Sequence, residues 1–513
     1  MPLFFSKLRK NSFFKASALL AVFGLLSRFS GLVRDRILAS RFGASDILDV
    51  YYVSFNIPDL IFNLIVVGAV SSAFIPVFIE RRTKDENKAW GLANNFLNLI
   101  VIAVAFVSAI SFFFIPFIIN ILAPGFSWEK KEMAVLFTRV MLLSPVIFSA
   151  SVVMGSILQS FKRFLAYSIA PILYNAGIII GAIFFEPKFG PLGLAEGVVL
   201  GAVLHFLIQA PAVFKAGFRW NAVISFKDQY LRKIFTLMVP RTLGLAAMQL
   251  NWIITNAIAT TIAVGSVAIL NFANNLQYVP IAFIGLSVAV ASFPVLSEEA
   301  LVEDKKDFSS RISKTLKQIL TITIPLSAIM IYLREDIVRI ILGAGNFKID
   351  DIKTTAGVLG IFGIGVFAQS IIPFLSRSFY AMQNTKIPVI SAVASVLVNV
   401  GLIFYFMKFF SWQNPIFVLP LAFSISGILN ALLLFILLNK KLPQLKISKQ
   451  LSDIGKIFFI SGIMYFSIEY LDEFIFGGID FYNFWGSFYH VFVIGTIGVL
   501  IFLACTTILR EDA

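Results

Sequence analysis

Residues 45–80 read SDILDVYYVSFNIPDLIFNLIVVGAVSSAFIPVFIE, and residues 267–298 read VAILNFANNLQYVPIAFIGLSVAVASFPVLSE. Laid side by side, Asp49 falls on Asn271 and Pro58 on Pro280. After a four-residue gap, Pro76 falls on Pro294 and Glu80 on Glu298. Each copy is an apolar run that ends on an acidic residue ahead of a basic loop. A run of about 20 apolar residues, rising about 1.5 Å per residue as a helix, crosses a hydrocarbon core roughly 30 Å thick. Lipid offers no partners to backbone N–H and C=O groups, so the spanning element must satisfy them internally. Strand alternation is absent, which sets a β-barrel aside. A weaker pair joins FKRFLAYSIAPILYNAGIIIGAIFF (161–185) to YAMQNTKIPVISAVASVLVNVGLIF (380–404). Both of these start in a basic loop and run into a span, so the copies have the same orientation. The expectation is a parallel repeat of two six-helix bundles related by an axis along the membrane normal.

Working outward from the repeat gives an all-α polytopic membrane protein with about 14 spans, the first at 17–40 and the last at 485–508. The expected organisation is a tail at 1–16, a six-helix lobe at 17–216, a linker at 217–231, a second six-helix lobe at 232–440, a basic linker at 441–454, and two extra helices at 455–508. Composition agrees, with 58% hydrophobic and 14% charged residues, where soluble domains carry about 25% charged. The net charge of +14 does not indicate nucleic acid, because the basic residues separate apolar runs. Lys7, Arg81, Arg82, Lys162, Lys215, Lys227, Lys305 and Lys440 fall in one set of connectors. Asp46, Asp49, Glu186 and Asp472 fall in the alternate set. By the positive-inside rule the basic set and both termini are cytoplasmic. Met1–Lys15 has no small-residue cleavage site and reads as a tail. Cys505 is the only cysteine, so a disulfide framework or thiolate metal site is excluded.

Catalytic constellations are missing. There is no G-x-x-x-x-G-K-[ST] and no H-E-x-x-H, so neither an ATP motor nor that zinc site is encoded. No metal or organic cofactor is expected, while Na⁺ or H⁺ coupling is left open. The charged cluster in the first span is Ser27-Arg28-Phe29-Ser30-Gly31-Leu32-Val33-Arg34-Asp35-Arg36. Arg28 and Asp35 share a face if the helix is continuous, and Ser30-Gly31 is a candidate bend. Arginines near a cavity bind phosphate by fork-like, charge-assisted hydrogen bonds; alternatively, Arg34 and Arg36 snorkel at an interface. His205, beside Gln209, reads as a hydrogen-bonded packing residue. Glu196 is a candidate proton or cation site, because acids in spans are costly unless paired or hydrated. Asn63, Gln249, Asn251, Asn256, Asn274, Asn275 and Asn399 are intramembrane amides, a type that commonly joins helices. Arg241, after Pro240, reads as an interfacial anchor. Gly177-x-x-x-Gly181 and Gly197-x-x-x-Gly201 permit close helix packing.

The motifs SRFSGLVRDRILASRFG (27–43), D-x5-F-x-IP (49–58), GAVSSAFIPVF (68–78), LQSFKRF (158–164), APILYN (170–175), NNLQYVPIAFIGLSVAVASFPVLS (274–297) and SFYAMQNTKIPV (378–389) resemble those of the MurJ (MviN) lipid II flippase family. The likeness runs in order from residue 15 to about 440. It implies the fold of the multidrug/oligosaccharidyl-lipid/polysaccharide exporter superfamily, with two C-terminal helices forming a groove for a polyprenyl tail. It also implies transfer of an undecaprenyl-diphosphate-linked peptidoglycan precursor between leaflets, with membrane lipids as surroundings and no nucleic-acid partner. Association with cell-wall synthesis proteins is left open. The family's functional charges match Arg28, Arg34 and Asp49. Well-studied members carry an arginine and a glutamate where this chain has Asn63 and Val67, and an Asp-Arg pair where it has Asn274-Asn275. Arg241 is the candidate substitute cation.

The expectation is therefore alternating-access transport, in which Arg28 and Arg34 hold the diphosphate and Asp49 pairs with them when the site is empty. Asn63, Arg241, Asn274 and Asn275 complete the candidate substrate-binding set. A cation-coupled small-molecule exporter of the same superfamily is the alternative, and a non-transporting scaffold for cell-wall enzymes is a third reading.

Overall fold

The computed structural model describes residues 12–67, 73–445, 447–477, 479 and 481–511. Most of the tail and residues 68–72 of the GAVSSAFIPVF motif lie outside them. Among the described residues the regular structure is helical throughout. Ten helical stretches are long and apolar enough to cross a membrane. One of them, at 164–214, folds back at Gly190 and supplies two spans. Adding Ser12–Phe42, the segmented run at 46–84 and Gln229–Ala259 brings the described spans to fourteen. The chain divides into two compact units, Met1–Gly265 and Ser266–Ala513.

In the first unit, α1 (Ser12–Phe42) runs unbroken, without the bend considered at Ser30-Gly31. The Ser30 hydroxyl bonds back to the Ser27 carbonyl at 2.8 Å, a local bond that leaves the ladder intact. Arg28 and Asp35 therefore share one face, two turns apart. The second span, read from sequence as one run, is segmented into α2 (Asp46–Ser54), α3 (Asn56–Ile61), a π-helical stretch Phe62–Val67 and α4 (Ile75–Lys84). α5 (Glu86–Leu122) opens on an Asp85 cap that accepts the Lys88 amide at 3.0 Å. Its 37 residues reach about 55 Å at 1.5 Å each, so it projects beyond the hydrocarbon. α6 (Trp128–Met141) and α7 (Leu143–Ser160) follow.

α8 (Phe164–Ile180) and α9 (Gly193–Phe214) touch backbone to backbone. A Cβ built on Gly177 would lie 2.3 Å from Gly201 Cα, and one on Gly181 would lie 2.4 Å from Gly197 Cα. No side chain fits there, so these glycines are packing devices and not ordinary membrane content. α10 (Gln229–Ala259) packs on the π stretch, α5 and α4, so the packing boundary falls one helix after the boundary of the sequence repeat. The connector before α10 is held in place by α5. Asn94 exchanges bonds with Arg219 and Asn221, Asn95 with both backbone groups of Ser225 (2.7 and 2.8 Å), and Asn98 with Asn221 and Val223. Three amides thus satisfy an extended strand that has no sheet.

The second unit begins with α11 (Ser266–Pro280), a π-helical stretch Ile281–Leu286 and α12 (Ser287–Glu299). The repeat is visible in backbone detail, since both copies widen into a π turn just after the aligned prolines, Pro58 and Pro280. A Cβ on Gly285 would stand 2.3 Å from the Ser370 carbonyl, so the widened turn seats against α15. α13 (Lys306–Tyr332), α14 (Arg334–Leu342), α15 (Ile349–Ala381), α16 (Lys386–Phe409) and α17 (Val418–Lys441) complete the bundle. The extra pair, α18 (Ile447–Phe476) and α19 (Phe484–Glu511), shares this core. Met464, Ile468 and Ile494 are buried in one cluster with Ile319, Phe374 and Leu434.

Candidate functional site

The first unit concentrates polar groups where α1, α2, α3, α8 and α10 carry intramembrane side chains. Arg34 Nε and Nη2 donate to Asp35 Oδ1 at 3.0 and 2.7 Å, and Nη1 donates to Asn175 Oδ1 at 3.1 Å. Asn175 in turn donates to Ser30 Oγ at 2.9 Å. Asp35 is 3% exposed, whereas the Arg34 side chain keeps 21% of its surface open. Guanidinium has five N–H donors; three are in use, so two remain for a ligand. The orientation is fixed by a buried carboxylate and an amide, which removes much of the rotamer entropy of a free arginine. Tyr51 and Tyr174 lie in the field of Arg34.

Asp49 is buried, and its Oδ2 accepts the Gly265 amide at 2.7 Å. Asp35 is bonded to Arg34 because adjacent placement on one helix lets the guanidinium fold back. Arg28 is exposed on α1. Asn63 Nδ2 donates to the Asp59 carbonyl at 2.9 Å and to Gln249 Oε1 at 3.3 Å, joining the second span to α10. Asn256 donates to Asn56 at 3.4 Å, another α10–α3 bridge. Arg241 lies on α10, and its side chain is outside the described residues. In the second unit, Asn274 Oδ1 accepts from Gln277 at 2.9 Å one turn away on α11, with Asn275 beside it.

Other sequence candidates find plainer roles. His205 Nδ1 lies 2.7 Å from Ser151 Oγ, which also accepts from Gln209 at 2.8 Å, and its ring stands edge-on to Phe148. This is a packed, satisfied histidine. Glu196 sits in the first turn of α9, where the helix dipole favours a carboxylate. At the basic ends, Glu80 accepts from Lys233 at 2.7 Å and Lys84 at 3.3 Å, and these bonds hold its carboxyl below the ordinary range. Among the described residues no group of three His, Cys, Asp or Glu side chains could hold a metal ion.

Two features escape sequence reading. Asp59 on α3 is an exposed carboxylate well along a span; its place after Pro58 gives it the look of an ordinary helix-start residue. In the second unit, His490 Nδ1 lies 2.8 Å from Asp336 Oδ2 and Nε2 lies 2.7 Å from Asp472 Oδ1. Tyr332 donates to Asp472 at 2.5 Å, and Arg339 bonds Glu335 and the Phe481 carbonyl. This buried network ties α18 and α19 to α13 and α14.

The family described as "Lipid II flippase MurJ" matches residues 38–482. The chain belongs to the MurJ family. Among MurJ relatives, "Lipid II flippase MurJ" of Burkholderia cenocepacia is 28% identical over 437 residues, covering 83% of this chain and 84% of that protein. "Probable lipid II flippase MurJ" of Buchnera aphidicola subsp. Acyrthosiphon pisum is 30% identical over 434 residues, covering 82% of each. A solved structure, "Lipid II flippase MurJ, inward closed conformation", superposes with a TM-score of 0.79 at 27% identity and covers 96% of this chain and 99% of that one. A multidrug resistance MATE family transporter of the MOP superfamily superposes at 0.70 with 17% identity, covering 84% and 99%, which shares the fold alone. This MurJ-family chain is a multi-pass inner-membrane protein of a transporter family.

Proposed function

We propose that this MurJ-family chain moves lipid II, the lipid-linked peptidoglycan precursor, from the inner to the outer leaflet by alternating access, with both termini in the cytoplasm. The observation that carries the reading is Arg34, a guanidinium within a span, oriented by Asp35 and Asn175 and keeping two donors open. Such a group recognises a diphosphate by paired, charge-assisted hydrogen bonds. Arg28, two turns from Asp35 along that residue's face of α1, adds a second exposed cation. Asn274 and Asn275 stand where other family members carry charges, Asn63 keeps its carbonyl oxygen as an acceptor, and Arg241 adds a cation on α10. Export of an anionic head group from an inside-negative cell is favoured by about 2.3 kcal/mol per charge per 100 mV, so no nucleotide is needed.

The test is genetic. Cells depleted of their resident lipid II flippase should grow when this chain is expressed and should fail with Arg28→Ala at equal membrane abundance. Normal growth with Arg28→Ala and Arg34→Ala would remove the diphosphate assignment. Asp59 favours a second reading, cation-coupled export of a small molecule; failure to complement, joined to drug efflux, would select it.

A further inference from the structure

Asp59 is an ionisable group that the diphosphate chemistry leaves without a task. It lies ten residues beyond Asp49, roughly 15 Å deeper at 1.5 Å per residue. On its own short helix Asn56, Ile57, Pro58 and Ile61 are buried, while Asp59 is exposed. Its helix is nevertheless packed against α5, α6, α7 and α10 of the same unit. A carboxylate that is open yet enclosed lines a water-accessible space, since the same group facing acyl chains would be costly.

No described side chain pairs with this carboxylate or hydrogen-bonds to it. Tyr51 and Tyr174 share its field, with Arg34 and Asp35 beyond them, already engaged with each other. From α6, Lys130 is held by Asp46 and Arg139 by the Phe112 carbonyl. From α5, Lys88 is held by Asp85, and α7 carries no titratable side chain. The described cations of α10, Arg232 and Lys233, bond the Phe226 carbonyl and Glu80 in its first turns. One turn along, Asn63 spends its Nδ2 on the Asp59 carbonyl and Gln249, so its Oδ1 remains an acceptor. In the repeat, Asp59 falls on Ile281, which is buried; the carboxylate belongs to one unit alone.

Resting on the flippase reading, we propose that Asp59 is a coupling-cation site, binding one monovalent cation, a proton or Na⁺, while the anionic head group occupies the same unit. A bare carboxylate there would repel the diphosphate, and a bound cation cancels that repulsion. In the proton case, water in the space delivers the proton to a carboxylate oxygen and takes it back after transfer.

Full-length chain, purified in detergent, separates the two claims. Infrared difference spectra between acidic and alkaline buffer should show a carboxylic-acid band in wild type that Asp59→Asn lacks. If Na⁺ is the cation, the band should instead be suppressed by NaCl and not by choline chloride. A band unchanged in Asp59→Asn, with no Na⁺ effect, overturns the site. In proteoliposomes holding lipid II, wild-type transfer should change by up to about tenfold per pH unit, or with Na⁺, through one linked site. Asp59→Asn should vary less than about twofold, and Asp59→Glu should keep the dependence. Asp59→Asn with the wild-type dependence also overturns the proposal. No transfer by wild type, with the band present and Asp59-dependent, rejects the flippase reading while the cation site stands.

Discussion

Arg34 shows how a single side chain is prepared for an anion within a membrane. Its charge is already half answered by Asp35, and Asn175 fixes the plane of the fork, so little ordering remains for binding to complete. Arg34→Lys keeps the charge but cannot reach two partners at once; transfer should fall about tenfold or more, measured in lipid II proteoliposomes at matched protein. His490 is the corresponding case for stability. It is 8% exposed between two carboxylates. His490→Ala leaves Asp336 and Asp472 without their shared partner and should cost about 3–5 kcal/mol, read as a lowered unfolding midpoint in detergent. Arg34 was legible in the sequence because a guanidinium inside an apolar run is conspicuous. His490 was not, because Asp336 lies 154 residues away and no local pattern announces it. Asp49 shows the same limit, since its Gly265 partner is 216 residues distant.

Elements were more legible than contacts. The apolar runs and the paired prolines located the spans, and the glycine spacings in α8 and α9 anticipated their close approach. Segmentation of the second span was hidden, because π turns keep the same composition as the α-helix around them and differ only in bond register. The asparagine ladder was hidden for a similar reason: Asn94, Asn95 and Asn98 look like polar residues at a helix start until their partners at 219–225 are placed. Asn95→Ala removes two bonds to Ser225 from a residue that is 3% exposed. The loss should be about 1–2 kcal/mol of local stability. Trypsin should then cut faster near Lys215, Arg219 and Lys227, with the rest of the chain unaffected; an unchanged cleavage rate would show that the ladder does not hold the connector.

For the molecule as a whole, the distribution of charge is the governing feature. Basic connectors alternate with acidic, neutral or mixed-sign ones, the mixed pair lying near Lys130 and Lys348, and the net charge is +14. This large-scale pattern was the most readable of all, since insertion physics imposes it on the sequence directly. Transfer powered by the membrane potential should slow when valinomycin and K⁺ collapse an inside-negative gradient in proteoliposomes. Two charges at 100 mV correspond to about 4.6 kcal/mol, so net accumulation in the outer leaflet should vanish even where exchange continues. Accumulation that persists without any potential or ion gradient would leave the direction of transport unexplained.

The wide turn at Ile281–Leu286 has a consequence for length variation along this helix. One residue advances an α-helix by about 100°, and a π turn accommodates the extra residue without disturbing either flank. Deleting one position between Ile281 and Leu286 would let the turn close to α-helical register while Leu296 keeps its place in the core. The stretch acts as a length buffer that absorbs a residue gained or lost without turning the rest of the helix.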